Sequence, residues 1–574
     1  MAVPLMATPR PLARPPAQGR CRFHAAQQRG ARPHQHQQQP QQQRLQQRQQ
    51  QRQRQRQQQQ RQRLLPPVSA TRSKAARCCA CASSSSSTDA EAAAAASSAS
   101  ASAAAAYEAL SFANLCVDVM VEVATMPAGD RRSRRRYRQA LPIPPPEDDA
   151  WEVGGAANFA ISAARLGLRT GALGTLGDDA FGRFSEDVLG EEGVGVLNLI
   201  RFPDSMRDEQ VQTLVCFVLL GPAGEHGFCS IFDEQEHAAY ETLPRLPREA
   251  LESIARAGVL FLNGFAFDEL PAAVVAEAAL GAQRSGTALL FDPGPRVGDI
   301  TSLGGWGGFS PSDLKGRMLR ELMYAADVCC ITSEEAAVAT GYADPVEAAR
   351  HIMLLSFTAD APTTAELQDY ERALCGVRAA RTEAARAASS QGRNDDANSS
   401  TDNSGGEGNS PQPGRRDKWV LVKLGADGCM VLSSKGLRFR ADGAPELASL
   451  QPVLVPGFAV DVMDTVGCGD SFAAAVALGY RRGYGLRDTA VLANAVGACT
   501  ATRSGAGRAV ASRQQVEALL RRELDLRGEA RSSSNNNSNG DGDGGSSAAH
   551  ASPGTHSMAA IRIALSMLSD ASTT

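Results

Sequence analysis

Residues 461–472, DVMDTVGCGDSF, combine residue types and spacing that suit phosphate chemistry. Gly467, Cys468 and Gly469 offer three successive backbone N–H groups before a small-residue helical stretch, and a helix N-terminus favours an anion. Glycine lets phosphate oxygens approach the backbone. A carboxylate at the next position, Asp470, is useful there if it accepts a proton from an attacking hydroxyl. The segment is a candidate phosphoryl-transfer site, and a tight turn with an aspartate N-cap is the alternative.

The elements that must position this segment alternate between short apolar runs and Ala-rich helical patterns. Runs bounded by Gly, Asp or Pro lie at 110–117, 170–174, 258–262, 287–291, 327–331 and 419–424. Helical patterns lie at 156–166, 180–190, 271–285, 334–340 and 471–482. This alternation predicts an α/β fold with a central, mostly parallel sheet and helices on both faces. Ligands bind at the carboxyl ends of the strands in such sheets.

A different pattern occupies 195–235, where LNLIRF, QTLVCFVLL and GFCSIF read as antiparallel strands. Together with a strand near 115–123 they predict a small β-sheet lid over the cleft, and an ordinary extension of the main sheet is the alternative. A homodimer that pairs through this lid is a further expectation.

Composition divides the chain into a basic leader and an acidic body. Residues 1–88 contain 16 Lys plus Arg and no Asp or Glu, so the remainder holds 43 basic and 62 acidic residues. An acidic body argues against nucleic-acid binding, which needs concentrated Lys and Arg. No run of about 18 apolar residues is present, so no membrane association is expected. The 13 scattered cysteines indicate buried thiols in a reducing compartment.

The leader, an insertion and the tail are predicted to lie outside the folded body. The leader 1–106 is Arg-, Gln-, Ala- and Ser-rich, which is typical of an organelle transit peptide. It indicates a chloroplast address, with the mitochondrion as the alternative, and an RNA-binding arm is a less favoured interpretation of its Gln/Arg tract. Polar composition predicts disorder for the insertion 386–417 and the tail 528–574, and 302–310 reads as a loop. The body is then 107–385 and 418–527.

Several motifs in register resemble the pfkB (ribokinase-like) carbohydrate kinase family. They are GGAANFAISAARLGLRTGALGTLGDDAFG (154–182), TSEEAAVATG (332–341), KLGADG (423–428), the DTVGCGD segment and ANAVGACTATRSGAG (493–507). The plastid-targeted branch of the family in plants and algae is the one that the segments WEVGGAAN, HGFCS, FDPGPR, ITSEE and DTVGCGDSF resemble most. The resemblance spans the body in the family's order and implies a ribokinase-like fold.

The resemblance also implies roles around the transferred phosphate and the acceptor. Asp470 corresponds to the catalytic base, and Gly467, Cys468 and Gly469 correspond to the anion hole, with Cys468 where the family usually has Ala. Asp118 matches the carboxylate that binds sugar hydroxyls, with a turn cap as the alternative. The sugar-binding glycine pair and amide correspond to Gly154, Gly155 and Asn158.

For the nucleotide and metals, the resemblance implies ATP, Mg²⁺ and a monovalent cation such as K⁺. The turn that borders ATP corresponds to Lys423, Gly425, Asp427 and Gly428, and Asn494 corresponds to an adenine-side residue. Glu335 matches the glutamate that organises Mg²⁺ through water, whereas Thr332 stands where the family usually has Asn. The backbone around Asp464 and Thr465 corresponds to the monovalent-cation loop.

Two further groups have no assigned role. Six arginines follow the first strand and either face the cleft or lie on a solvated loop; they are Arg131, Arg132, Arg134, Arg135, Arg136 and Arg138. Asp292 and Arg296, in FDPGPR, follow a strand and either line the cleft or serve a Pro-Gly-Pro turn.

The favoured function is an ATP- and Mg²⁺-dependent kinase that phosphorylates a hydroxyl of a sugar or sugar-like alcohol. The alternatives are a kinase-like plastid scaffold or regulatory protein, and a nucleoside kinase. The sequence does not identify the acceptor.

Overall fold

The computed structural model describes thirteen stretches of the chain, between residues 107 and 570. They are 107–113, 115–127, 131–141, 143, 150–202, 211–221, 226–230, 245–298, 309–310, 313–358, 368–395, 416–536 and 556–570. The leader 1–106, most of the loop 302–310 and residues 396–415 of the predicted insertion lie outside the described residues. The predictions for those segments stay predictions.

The described strands form three sheets. In chain order they are β1 (Ala109–Phe112), β2 (Leu115–Glu122), β3 (Trp151–Gly155), β4 (Thr170–Gly174), β5 (Gly195–Asn198), β6 (Leu214–Leu220), β7 (His226–Ser230), β8 (Val259–Asn263), β9 (Ala288–Asp292), β10 (Val328–Thr332), β11 (Trp419–Lys423), β12 (Cys429–Ser433), β13 (Arg438–Phe439), β14 (Pro445–Glu446) and β15 (Val453–Val455).

The described α-helices lie between these strands and after the last of them. They are α1 (Arg131–Ala140), α2 (Ala156–Arg165), α3 (Ala180–Glu191), α4 (Arg248–Arg256), α5 (Ala266–Glu269), α6 (Ala272–Ser285), α7 (Leu314–Ala325), α8 (Ser333–Thr340), α9 (Pro345–Ser356), α10 (Gln368–Asp395), α11 (Cys468–Arg482), α12 (Leu486–Ala501), α13 (Arg513–Asn536) and α14 (Met558–Asp570).

The largest sheet has nine strands in the order β15-β12-β11-β10-β9-β8-β1-β4-β5. Every pair from β5 to β11 is parallel, and β12 and β15 join antiparallel at the far edge. Parallel neighbours need crossover connections, which the intervening helices supply. The predicted α/β class with a mostly parallel central sheet is confirmed.

Alternating side chains of the central strands fill cores on both faces of this sheet. In β8, Leu260 and Leu262 pack on the side covered by helices such as α4, α6, α7 and α9. Val259 and Phe261 pack on the opposite side, with α11, α12 and α14, where Phe261 stacks on Phe159 of α2 at 4.1 Å. Helices on both faces leave the carboxyl ends of the strands as the open edge.

A separate four-stranded sheet, in the order β3-β2-β6-β7, forms the predicted small sheet. Its outer face buries Val117, Val119, Trp151 and Phe217 against α1 and α3. The opposite face includes Asp118, which is paired with Glu152 across β2 and β3. Because α1 and α3 cover the outer face, Asp118 lies on the face that is free to meet the central sheet; the lid homodimer stays a prediction.

Strand assignment differs from the prediction in two places. The single run 110–117 divides into β1, in the central sheet, and β2, in the small sheet. The residues 195–198, predicted for the lid, form β5 and pair in parallel with β4. The helix α3 between β4 and β5 provides the crossover that makes this parallel pairing possible.

The arginine cluster lies on the helix α1, and neither a cleft-facing nor a solvated loop is observed. Tyr137 and Leu141 pack on the outer face of the small sheet, and the Arg138 guanidinium lies 5.5 Å from the centre of the Phe217 ring. Arginine is a good helix former, and its long stem covers apolar surface. Arg134 is buried and Arg138 is half-buried on the side of the small sheet away from Asp118, whereas Arg132, Arg135 and Arg136 are exposed.

Two segments predicted to be disordered contain helices. Helix α10 continues to Asp395, into the predicted insertion, and α13 continues to Asn536. Helix α14 lies within the predicted tail and buries Ile561, Ala564 and Leu568 in the core of α11 and α12. The apolar spacing of three and four residues in α14 is that of an amphipathic helix, which the polar composition before it concealed.

No described helix combines the length and apolar character needed to cross a membrane.

Packing of α14 predicts a measurable contribution to stability. Ile561 is fully buried, so Ile561→Ala should lower the free energy of unfolding by about 2–4 kcal/mol. Urea denaturation of the full chain measures this change. Arg562→Ala, one residue away and exposed, is the matched control, and equal midpoints for the two variants would contradict the packing.

Candidate active site

Four adjacent parallel strands end in polar residues: Asn263 on β8, Asp292 on β9, Thr332 on β10 and Lys423 on β11. Asn263 is in register with Asp292, and Thr332 with Lys423. The residues two positions earlier, Phe261, Leu290, Cys330 and Leu421, all belong to the core shared with α11 and α12. Since side chains alternate along a strand, the four polar residues lie on the face toward α11.

Helix α11 begins directly over these strand ends. Gly467 precedes it in the left-handed conformation, with φ 75° and ψ −5°, which suits glycine. A Cβ on Gly469 would lie 3.3 Å from the Lys423 Nζ, so the ammonium reaches the first helical turn. The Cys468 N–H donates to the Thr465 carbonyl at 3.3 Å. Of the three backbone N–H groups predicted for the anion hole, that of Cys468 is therefore hydrogen-bonded within a turn, and those of Gly467 and Gly469 lie on either side of it.

Asp470, in the first turn of α11, is joined to the helix α2 by a side-chain hydrogen bond. Asn158 Nδ2 donates to Asp470 Oδ2 at 3.2 Å, and the Gly507 N–H donates to Asn158 Oδ1 at 2.8 Å. The amide thus uses its donor on Asp470 and its acceptor on the 507–509 turn. Two residues predicted for different roles, Asn158 and Asp470, meet in one site.

The electrostatic surroundings of Asp470 favour its protonated form more than water does. The pKa of Asp470 is raised to about 7, first by burial and then by the Asp292 carboxylate. The Asn158 amide and the Lys423 ammonium act in the opposite direction. A carboxyl with a pKa near neutrality is suited to accept a proton and to release it again.

Lys423 and Asp292 form a buried ion pair, with Nζ and Oδ2 2.6 Å apart. Burial lowers the pKa of Lys423, but the carboxylates of Asp292 and Glu335 raise it by more, and the net pKa lies above its ordinary value. Lys423 is therefore a fixed cation at the base of the site. The sequence left cleft lining and a turn as alternatives for Asp292, and the structure shows both, because its Oδ2 pairs with Lys423 and its Oδ1 accepts from the Gly294 N–H at 3.1 Å. Arg296 pairs instead with Asp268.

Thr332 and Glu335 form a capping box at the start of α8. The Glu335 N–H donates to Thr332 Oγ1 at 3.2 Å, and the Thr332 N–H donates to Glu335 Oε2 at 2.9 Å. Burial raises the pKa of Glu335 to about 7, while Lys423 lowers it and Asp292 raises it. Thr332 thus caps the helix and fixes Glu335.

Two carboxylates of the site form a donor set that fits Mg²⁺. No group of three or more His, Cys, Asp or Glu able to hold a metal is present in the described stretches. Glu335 and Asp292 are nevertheless buried carboxylates beside one another. Mg²⁺ commonly binds one or two carboxylates together with substrate phosphates and water, so these two residues would hold it.

Asp118, on β2, is buried beside the other carboxyls. Cys116 Sγ donates to Asp118 Oδ1 at 3.3 Å. A Cβ on Gly154 would collide with the Asp118 carboxylate, so the glycine is needed for this approach. The pKa of Asp118 is raised to about 7, chiefly by burial, against the Cys116 bond and with contributions from Glu152 and Asp470. The structure therefore brings Asp118, Gly154, Asn158 and Asp470 together.

Gly155 and Gly507 allow the backbone to turn at the same place. Gly155 precedes α2 with φ 59°. Gly507 has φ 54°, and a Cβ there would press on Glu152 and the Val153 carbonyl. Next to it, Arg508 Nε donates to both oxygens of Glu152, at 3.2 and 3.1 Å. This link between the small sheet and the 507–509 turn was not predicted.

The predicted nucleotide-side turn, Gly425–Asp427, joins β11 to β12. Gly425 and Gly428 have φ of 61° and 96°, and the Gly428 backbone packs against Val455 and Gly457. Asp427 is exposed. Asn494 Nδ2 donates to the carbonyls of Val455 and Pro456 at 3.0 and 2.8 Å. Asn494 thus anchors the segment beside this turn through its amide donor.

Asp464 uses its side chain to fold the signature loop. Its Oδ1 accepts from the Val466 N–H at 2.9 Å, and its Oδ2 accepts from the Gly505 N–H at 2.8 Å. A cation role for the backbone of Asp464 and Thr465 stays a prediction. The Cys468 thiol has its pKa raised to about 12 by burial, which fits a packed, protonated residue.

Comparison with known proteins gives matches to sugar kinases. The profile described as pfkB family carbohydrate kinase matches residues 150–355 and 382–513. A 5-dehydro-2-deoxygluconokinase of Shouchella clausii is 29% identical over 189 residues, 32% of this chain and 50% of that protein. A fructokinase of Klebsiella pneumoniae is 33% identical over 194 residues, 34% of this chain and 56% of that protein. The chain spans about half the length of these curated relatives.

Among solved structures, a fructokinase with bound ATP from Xylella fastidiosa is similar with a TM-score of 0.43 and 20% identity, covering 73% of this chain and 99% of that chain. The profile match covers more than half of the sequence and includes the small-sheet strand β3, the strand ends and the start of α11. The chain therefore belongs to the pfkB family of carbohydrate kinases.

Proposed function

We propose that this protein transfers the γ-phosphate of ATP to a hydroxyl of a sugar or sugar-like alcohol, with Asp470 as the general base. The observation that supports this most directly is the position of Asp470. It is a carboxyl with a pKa near 7, held by Asn158 in the first turn of a helix whose N–H groups suit a phosphate. Its neighbour Asp118 lies on the small sheet, where an acceptor would enter between the two.

In this mechanism the reacting hydroxyl of the acceptor donates its hydrogen bond to Asp470, and neighbouring hydroxyls of the acceptor donate to Asp118. The hydroxyl oxygen attacks the γ-phosphorus, its proton passes to Asp470, and the bond to the β,γ-bridging oxygen breaks to release ADP. The N–H groups at the start of α11 and the Lys423 ammonium stabilise charge on the transferred group. Mg²⁺, when bound near Glu335 and Asp292, would neutralise phosphate charge.

The acceptor is proposed by class only. A short carboxylate such as Asp118 can accept two hydroxyl donors, which suits a vicinal diol. The curated relatives named 5-dehydro-2-deoxygluconokinase and fructokinase support a sugar rather than a nucleoside. ATP, Mg²⁺ and a monovalent cation near Asp464 belong to the same proposal.

The leader 1–106 is, in this proposal, a transit peptide for the chloroplast, with the mitochondrion as the alternative. Its support is compositional: it is rich in Arg and Ser, and its first 88 residues lack acids. Import of the full chain into isolated chloroplasts and into mitochondria, followed by N-terminal sequencing, should give a new N-terminus before Tyr107 in one of them. Imported protein that still begins at Met1 would contradict the assignment.

Turnover of the full chain is predicted to depend on a sugar and on Asp470. With ATP, Mg²⁺ and K⁺, ADP release should rise with one member of a panel of pentoses, hexoses, ketoses and sugar acids. Asp470→Asn should lower kcat by about 10²–10⁴, as expected for loss of a general base. Asp461→Asn, an exposed acid in the same segment, should change kcat less than twofold.

Other outcomes of this assay separate the alternatives. Turnover with nucleosides alone would favour a nucleoside kinase. If no acceptor raises ADP release and calorimetry shows no binding of ATP with Mg²⁺, the enzyme proposal fails and the scaffold alternative remains.

The pH dependence follows from the raised carboxyl pKa values. Because Asp470 must be ionised to accept a proton, kcat/KM should fall as the pH drops below about 7. Asp118 and Glu335 titrate in the same range, so the acid limb should be steeper than that of one group. A flat profile between pH 6 and 8 would contradict this assignment.

The raised pKa of Asp470 should have the opposite effect on the free energy of unfolding, which should fall as the pH rises. A raised carboxyl pKa favours the folded state at low pH, and that contribution is lost as the pH rises through about 7. Asp470→Asn should therefore raise Tm by about 2–4 °C at pH 8, with a gain that shrinks as the pH falls toward 4. Asp461→Asn is again the control, and an equal gain at pH 5 and pH 8 would exclude this origin.

A further inference from the structure

The segment 456–467 connects β15 to α11 and therefore links the two halves of the candidate site. At one end Asn494 holds the Val455 and Pro456 carbonyls beside the turn at 425–428. At the other end the Asp464 carboxylate fixes the loop that leads to Gly467 and Asp470. The position of the middle of this segment thus affects both the nucleotide side and the phosphate side.

Two contacts to the middle of the segment come from the C-terminal part of the chain. The Arg522 side chain, on α13, donates to the Ala459 carbonyl at 3.3 Å. The His556 imidazole, just before α14, stacks on the Phe458 ring with centroids 4.2 Å apart and planes inclined by 19°. Both aromatic residues are buried, at 5% and 7% exposure. The stack and the Arg522 hydrogen bond therefore hold two consecutive residues of the segment, Phe458 and Ala459.

Helix α14 holds His556 firmly in place. Its residues Ile561, Ala564 and Leu568 are buried in the core of α11 and α12. Near the other end of the helix, Asp570 accepts a hydrogen bond from the Tyr484 hydroxyl. The imidazole that stacks on Phe458 is therefore attached to a helix that is packed in the core.

His556 is a neutral ring in this position. Its pKa is lowered to about 4, mainly by burial, with Arg527 adding to the effect and with Glu523 and the Gly457 backbone opposing it. Neither ring nitrogen makes a hydrogen bond of good geometry within the described residues. The ring face, rather than a charge or a fixed hydrogen bond, is what His556 contributes to Phe458.

The profile match ends at residue 513, so Arg522, His556 and α14 lie beyond the part of the chain that matches the family. Because segment 456–467 packs on the Gly428 turn, displacing it would move the nucleotide side first.

We propose that His556 is a positioning residue for the nucleotide: by stacking on Phe458 it holds segment 456–467 in the conformation that binds ATP. This inference rests on the proposed function, because it places the nucleotide beside the turn at 425–428. His556 acts through Phe458 and the backbone of the segment, and touches no reacting atom. Helix α14, which holds His556, therefore helps to keep the nucleotide site in its binding conformation.

The test compares His556→Ala with His556→Phe in the full chain. Calorimetry with the non-hydrolysable analogue adenosine 5′-(β,γ-imido)triphosphate and Mg²⁺ measures affinity without turnover, and steady-state assays give KM for ATP, KM for the acceptor and kcat. We expect His556→Ala to weaken analogue binding and raise KM for ATP by about five- to tenfold. The acceptor KM and kcat at saturating ATP should stay within twofold, and His556→Phe should restore affinity because it keeps a stacked ring.

Arg562→Ala, an exposed change on α14, is the matched control and should bind the analogue as the unaltered chain does. Unchanged analogue affinity in His556→Ala would overturn the inference while leaving the proposed function intact. Equal losses in kcat and both KM values, not rescued by His556→Phe, would assign a general structural role instead and also overturn it. If the unaltered chain binds no analogue, the proposed function and this inference both fall.

Discussion

The ion pair between Lys423 and Asp292 is the interaction on which the site depends. It joins the ends of β11 and β9 across β10 and places an ammonium against the first turn of α11. Removing one partner of a buried pair typically costs about 3–5 kcal/mol, because the other charge stays buried without compensation. The Lys423 ammonium also lowers the pKa values of Glu335 and Asp470. It therefore offsets part of the cost of burying these carboxyls near the same strand ends.

Burial at this edge is a compromise between stability and chemistry. Asp118, Glu335 and Asp470 all have their pKa values raised to about 7, which means that the folded chain disfavours their ionised forms. An acidic cluster of this kind persists only if the surrounding fold holds its members in place. Here the packed central strands and the close glycine contacts do so. An incoming hydroxyl donor and a cation would relieve the repulsion, which gives the cluster a preference for such ligands.

The α/β fold and the Gly467–Asp470 segment were predictable from local sequence signals, whereas the roles of the other site residues came from the resemblance to the family and stay predictions. The packing partners were not predictable. Asp292 gains its importance only from Lys423, which is 131 positions away in the sequence, and Asn494 is turned toward backbone carbonyls that no local pattern identifies. Composition concealed α14, because a polar stretch precedes it, and concealed α1, because six arginines suggested a solvated loop although Tyr137 and Leu141 anchor a helix.

The small sheet and the central sheet are tied together beside Asp470, the proposed base. Asn158 begins a chain of contacts: its amide holds Asp470, and its carbonyl oxygen holds the Gly507 N–H. The neighbouring Arg508 pairs with Glu152, which lies opposite Asp118 on the small sheet. A displacement of the small sheet therefore moves Glu152, the 507–509 turn and Asn158 together. Because the same amide orients Asp470, the position of the small sheet and the alignment of the proposed base are mechanically coupled.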